Sequence, residues 1–147
     1  MPSTLIVNCR IQAPARLIWP YLTQPNLMNQ WSTAKVLPVS PGEGDDFATV
    51  GTRRDISVPM LFAKLRLREI IEYAEPPYTL VYRVFDSPPI RTHRGEITLE
   101  EQEGLTTVRW QVDYSMPFSW MEALSKKTLD KELNKSLSKL TEVMGGL

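Results

Sequence analysis

A chain of 147 residues, 42% apolar and 23% charged, is the size of one soluble domain with a proper core. Its 17 Lys plus Arg balance 17 Asp plus Glu, so no net charge draws in nucleic acid or an anionic membrane. No apolar run approaches the roughly 20 residues of a membrane span, and MPSTLIVNCR lacks a basic start followed by an apolar signal segment. One cysteine excludes an internal disulfide and fits a reducing, cytoplasmic setting; with one histidine it cannot build a zinc site from Cys and His alone. A single domain over residues 1–147 is expected, with no metal, no cofactor, no nucleic-acid partner and no integral membrane association.

The first element reads as a strand. In TLIVNCRIQ, Leu5, Val7, Cys9 and Ile11 alternate with Ile6, Asn8, Arg10 and Gln12, the period of a half-buried strand. Cys9 falls on the apolar set and reads as a small buried hydrophobe rather than a reactive thiol. In APARLIWPYLTQPNLMNQW, Pro14 suits the first turn of a helix, with Leu17, Ile18, Tyr21 and Leu22 as its apolar set. Pro20 predicts a kink or an early end, because its ring clashes one turn back. Pro25 then starts a second short helix that ends near Trp31.

From Ser32 to Asp113 the chain reads as strand and turn. STAKVLPV leads into the loop SPGEGDD, followed by GTRRDISVP and the longer LFAKLRLREIIEY. AEPPYT joins that strand to LVYRVF, and DSPPIR separates it from HRGEITLEEQ, which pairs with TTVRWQVDY across a hairpin turn at EGL. Seven strands result.

A long helix closes the chain. Ser119 and Glu122 have capping-box spacing, and Gly145 with Gly146 ends a run of about 25 residues, roughly 37 Å. Leu129, Leu133, Leu137, Leu140 and Met144 make one apolar stripe. Trp120, Met121 and Leu124 fall nearly opposite it, so the first two turns face something different or the helix bends near Ser125. Lys127, Lys131, Lys135 and Lys139 form a row at i, i+4 spacing. That row reads as a solvated face, because Asp130, Glu132 and Glu142 dilute it; docking to an anionic surface is the competing reading.

The order of elements, one strand, two short helices, six strands and one long amphipathic helix, resembles the START-like helix-grip (SRPBCC) superfamily. IQAPARLIWPYLTQPNLMNQW, VGTRRDI, REIIEYAEPPYTLVYRV and GEITLEEQEGLTTVRWQVDYSMP are similar to its polyketide cyclase/dehydrase branch over essentially the whole chain. Pro20 departs from that pattern, in which the first helix runs through. The resemblance implies an α+β fold, a curved seven-stranded antiparallel sheet wrapped around the C-terminal helix. It also implies an apolar cavity between them for lipids, sterols, polyketides, hormones or other hydrophobic molecules. It supplies no catalytic motif.

Alternation sorts the walls of that cavity. In LFAKLRLREIIEY, Lys64, Arg66, Arg68 and Glu72 form the wet face, against Leu61, Ala63, Leu65, Leu67, Ile71 and Tyr73 with Glu69 as the one charge among them. His93, Gly95, Ile97 and Leu99 form one inner set; Val108, Trp110, Val112 and Tyr114 another; and Leu80, Tyr82 and Val84 a third. Ile56 and Val58 carry Arg54 inward with them. The expected ligand-binding residues are Arg54, Glu69, Tyr82, His93, Gly95, Trp110, Tyr114 and Leu124. Gly95 leaves room beside His93, and Leu124, with Trp120 and Met121, covers the mouth. A mostly apolar wall with sparse polar anchors is the profile of a small-molecule site; a filled core in which Arg54 and Glu69 neutralise each other is the plainer alternative.

No nucleophile–base pair can be assembled, since His93 is the sole histidine and Cys9 lies on a distant, early strand. A binding protein or carrier for a hydrophobic small molecule is therefore the leading expectation. A polyketide cyclase/dehydrase-like enzyme, using Glu69 or His93 as its acid or base, is the alternative. A domain acting through a protein or membrane partner by its lysine row is the third.

Overall fold

The computed structural model describes residues 3–59 and 64–145. Its elements are β1 (Ser3–Ile11), α1 (Ala15–Thr23), α2 (Pro25–Met28), β2 (Lys35–Ser40), a 3-10 turn (Glu43–Asp45), β3 (Arg53–Pro59), β4 (Lys64–Glu75), β5 (Thr79–Phe85), β6 (Thr92–Gln102), β7 (Leu105–Ser115) and α3 (Ser119–Val143). The strands form one antiparallel sheet in the order β1-β7-β6-β5-β4-β3-β2. Consecutive strands pair as neighbours from β2 to β7, and β7 then returns beside β1. The chain thus crosses from one edge to the other once, between β1 and β2, and α1 and α2 make that passage. The arrangement is the expected α+β helix-grip fold.

Sequence explains most of these boundaries. β6 and β7 meet at a two-residue turn, Glu103–Gly104, with φ of 53° and 80°; two residues at positive φ match the twist of the hairpin they join. Pro25 occupies the first turn of α2, where its missing N–H costs nothing. Gly145, at φ 104°, closes α3 as the C-terminal glycine should. Leu133, Leu137 and Leu140 bury the core side of α3, each contributing about 1.5–3 kcal/mol of apolar burial.

Four expectations are corrected. α1 does not end at Pro20 but runs to Thr23, held by burial of Ile18, Trp19 and Leu22 and by a hydrogen bond from Thr23 Oγ1 to the Trp19 carbonyl. Its buried face accordingly includes Trp19 and leaves Leu17 exposed. Tyr73 points to solvent, because the β4–β5 ladder slips between Ile71 and Tyr73 and the bulge reverses the alternation beyond it. The capping box is not formed: Phe118 is the N-cap, Ser119 already lies inside the helix, and Glu122 is engaged elsewhere. Its carboxylate accepts from Ser3 Oγ at 2.7 Å and from the Met116 N–H at 3.1 Å, tying α3 to β1 and to the end of β7. Leu61, Ala63 and Gly146 lie outside the described residues.

Cys9 is half-buried against the core, and burial raises its thiol pKa above the ordinary value. The lysines of the α3 row are all exposed. No helix among the described residues is long and apolar enough to cross a membrane.

Candidate functional site

Between the inner face of the sheet and α3 lies an apolar cavity of about 70 Å³, walled by side chains such as Trp31, Val36, Ile56, Ile97, Val112 and Leu133. A second lobe of about 40 Å³ adjoins it, lined by Leu65, Ile90, Tyr114 and Met116. Val58, Leu67, His93 and Leu129 border both lobes and form the partition between them. The second lobe in turn shares Leu65, Met116 and Ser125 with an open groove that also includes Trp120, Met121 and Leu124. Groove, outer lobe and inner lobe therefore lie in series along α3, from Trp120 at the groove to Ser136 at the inner lobe.

These are small volumes. A cavity of roughly 150 Å³ lined by aliphatic and aromatic side chains accommodates benzene, so a larger guest enters only where wall side chains yield. Leu129 on α3 is half-buried and stands in the partition. Met28 and Met116 line the lobes with flexible, unbranched side chains.

Arg54, Glu69, Tyr82 and His93 sit at the sheet side of the inner lobe, and Glu132 and Ser136 border it from α3. Arg54 and Glu69 are directly opposite each other on β3 and β4, and Arg54 Nε donates to Glu69 Oε1 at 3.1 Å. Both are buried, and Arg54 also contacts Met28 Sδ at 3.0 Å and faces the Tyr82 ring at 5.8 Å. Burial pushes the Glu69 carboxyl above its ordinary pKa, and the Arg54 charge beside it pulls the other way. Tyr82 accepts a hydrogen bond from Trp110 Nε1 at 3.0 Å. Burial, with the Glu69 charge next, raises the Tyr82 phenol so that it stays protonated.

His93 stands between two phenols, its ring centroid 6.0 Å from that of Tyr82 and 6.3 Å from that of Tyr114. Burial lowers its pKa to about 4, so the imidazole is neutral at pH 7. It makes no side-chain hydrogen bond among the described residues, yet no fully buried polar side-chain atom among them is left unpartnered. The ring borders both lobes and also a surface pocket beside Arg83, Arg91 and Arg94, and as a neutral imidazole it can donate with one nitrogen and accept with the other. Tyr114 donates its hydroxyl to the Glu122 carbonyl at 2.8 Å, fastening the first turn of α3 over the outer lobe.

The sequence-derived residues thus divide by position. Arg54, Glu69, Tyr82, His93 and Trp110 come together around the inner lobe; His93 and Tyr114 border the outer one; Leu124 lies at the groove. Gly95 is the correction. A Cβ there would overlap the Tyr82 ring, so the room that glycine leaves is filled by that ring and not by a ligand. Sequence reasoning missed Met28, Trp31 and Ser136. Trp31 donates Nε1 to the Tyr21 carbonyl at 2.7 Å and meets Trp110 edge-to-face at 6.3 Å. Ser136 is buried on the core side of α3, and its Oγ accepts the Thr33 N–H at 3.0 Å. The signal was available: a serine within the Leu133, Leu137, Leu140 stripe needs a partner. Among the described residues no group of three His, Cys, Asp or Glu side chains gathers as a metal site would require.

Comparison with known proteins gives a consistent family and fold. Residues 7–145 match the family described as polyketide cyclase/dehydrase and lipid transport. TTHA0849 from Thermus thermophilus superposes with a TM-score of 0.80 at 16% identity, covering 97% of both chains. A START superfamily protein from Mycobacterium smegmatis gives 0.79 at 9% identity, over 96% of both chains. The Zhui aromatase/cyclase from Streptomyces sp. R1128 gives 0.75 at 15% identity, over 100% of both. No curated protein matches the sequence.

Proposed function

Because the chain belongs to the polyketide cyclase/dehydrase and lipid transport family, we propose that it binds a hydrophobic small molecule between its sheet and α3, as a carrier or binding protein. The fold itself hosts carriers and enzymes alike, so the argument rests on the site. One observation carries it: two apolar lobes meet at His93, whose ring makes no side-chain hydrogen bond among the described residues. Apolar walls supply affinity, and a neutral imidazole orients a hydroxyl or carbonyl of the guest. Arg54 and Glu69 neutralise each other, which lets the wall hold charges without excluding an uncharged ligand.

The enzyme reading draws on the same histidine and is weaker. With a pKa of about 4, His93 is a poor base, and at pH 7 only about one ring in a thousand is protonated to serve as an acid. Glu69 is bound to Arg54 through Oε1. His93 is not poised near neutrality as a proton-transfer catalyst should be.

Native mass spectrometry of protein isolated from cells, with organic extraction of any bound species, tests the reading. An apolar guest is expected, displaceable by an apolar fluorescent probe, and Ile97→Phe should weaken the probe by filling the inner lobe. Protein that carries no guest and takes up no probe would remove the basis for a binding function.

A further inference from the structure

Phe118 and Trp120 stack with centroids 6.3 Å apart and planes 12° off parallel, yet they remain 58% and 64% exposed. Leu124, one turn on, is 51% exposed. Large apolar side chains clustered and mostly in water mark a surface that meets something else. Trp120 and Leu124 also border the groove that leads to the outer lobe.

Lysines predominate on this face, although the whole chain is neutral. At about 100° per residue, Trp120, Leu124, Lys127, Lys131 and Lys135 fall within an arc of roughly 80°, on the side of α3 away from Leu133 and Leu140. All three lysines are exposed, and the ion pairs among the described residues are made by arginines elsewhere. Asp130 and Glu132 flank this arc on either side, Asp130 accepting from Asn134 Nδ2 at 2.9 Å, while Glu142 lies at the far end of the helix.

We propose that this face of α3 docks on an anionic lipid bilayer, with the cavity mouth held against the bilayer surface. Trp and Phe seat at the headgroup level, and a lysine row beside them meets the negative surface potential. Three long lysines, outside the ion pairs of the described residues, match a fluid layer of headgroups better than a fixed set of partner carboxylates. The groove supplies the purpose: an apolar molecule leaving the lobes there would otherwise cross water with its whole surface exposed. That purpose rests on the hydrophobic-ligand reading, whereas the docking surface itself does not.

The test is sedimentation of the full chain, with no added ligand, with vesicles of phosphatidylcholine alone or with phosphatidylserine added. Binding should need phosphatidylserine and weaken with added salt. Lys127→Glu with Lys131→Glu should lower the partition coefficient by about tenfold or more, and Trp120→Ser by about tenfold. Both changes lie on exposed positions and should leave the thermal transition in place. Absence of vesicle binding, or binding indifferent to both variants, overturns the proposal. Self-association abolished by Trp120→Ser would give the patch to a second copy and overturn it too. Uptake of an apolar probe in vesicle-free buffer reports separately on the cavity, so each reading can fail alone.

Discussion

Gly95 faces Tyr82 across the β5–β6 ladder, and the Tyr82 ring occupies the volume that a side chain at position 95 would need. That ring is buried and held by Trp110 Nε1, so it has little freedom to retreat. Gly95→Ala should therefore destabilise the fold by about 1–3 kcal/mol or more, as overpacking does. Urea denaturation measures the loss. Tyr82→Leu in the same chain should recover part of it, because the overlapping ring atoms are gone. A Gly95→Ala protein as stable as the parent would show that Tyr82 moves easily and that the wall is softer than described.

Acid should expose the burial of His93. Its folded pKa is about 4 against an ordinary value of 6.5. Above pH 6.5 the ring is neutral in both states and adds no pH dependence. Between pH 6.5 and 4 the unfolded chain takes up a proton that the folded one refuses, so stability falls as the pH drops through this window. The full difference is about 3 kcal/mol. Its immediate neighbours, Tyr82 and Tyr114, stay uncharged there, whereas the raised Glu69 acts in the opposite sense. Comparing the parent with His93→Phe isolates the ring: the variant should lose the added acid sensitivity. Identical pH profiles would mean that His93 titrates normally, in contact with water.

Much of this was legible because strands alternate. Ile56 and Val58 on β3, and Leu67 and Ile71 on β4, carried Arg54 and Glu69 inward from sequence alone. What alternation does not contain is register, so the direct opposition of those two residues appears only once β3 and β4 are paired. Tyr73 was misplaced for a related reason: a bulge leaves no mark in the pattern and reverses everything beyond it. Gly95 was placed on the correct face but given the wrong tenant, because its neighbour on β5 is a tertiary fact. Trp31 lies on no strand and no periodic helix face, so no periodicity could send it to the cavity wall.

The Arg54–Glu69 pair should be costly to split and cheap to replace. Glu69→Leu alone leaves the Arg54 guanidinium buried without its counter-charge, a loss of about 3–5 kcal/mol. Arg54→Met with Glu69→Leu removes both desolvation costs together and should come within about 1–2 kcal/mol of the parent. A double-mutant cycle by chemical denaturation reads the coupling. Additive single losses would mean that the two charges are each satisfied by water rather than by one another.

Position along α3 should decide what a truncation does. Leu133 and Leu137 are buried against the sheet, so each change to alanine should cost about 2–5 kcal/mol. Leu124 is half in water at the groove, and Leu124→Ala should cost well under about 1 kcal/mol while altering probe uptake through the mouth. Leu129 lies between these cases. It is half-buried and stands with His93 in the partition, so Leu129→Ala should cost an intermediate amount and merge the two lobes. The merged space should admit a bulkier apolar probe than the parent accepts, with affinity raised for that probe and little changed for a small one. Calorimetric titration with a graded series of aromatic probes distinguishes this from simple loosening. A uniform loss of stability across all four positions, with no change in the size of probe accepted, would mean that α3 packs as a plain core helix and that the partition controls nothing.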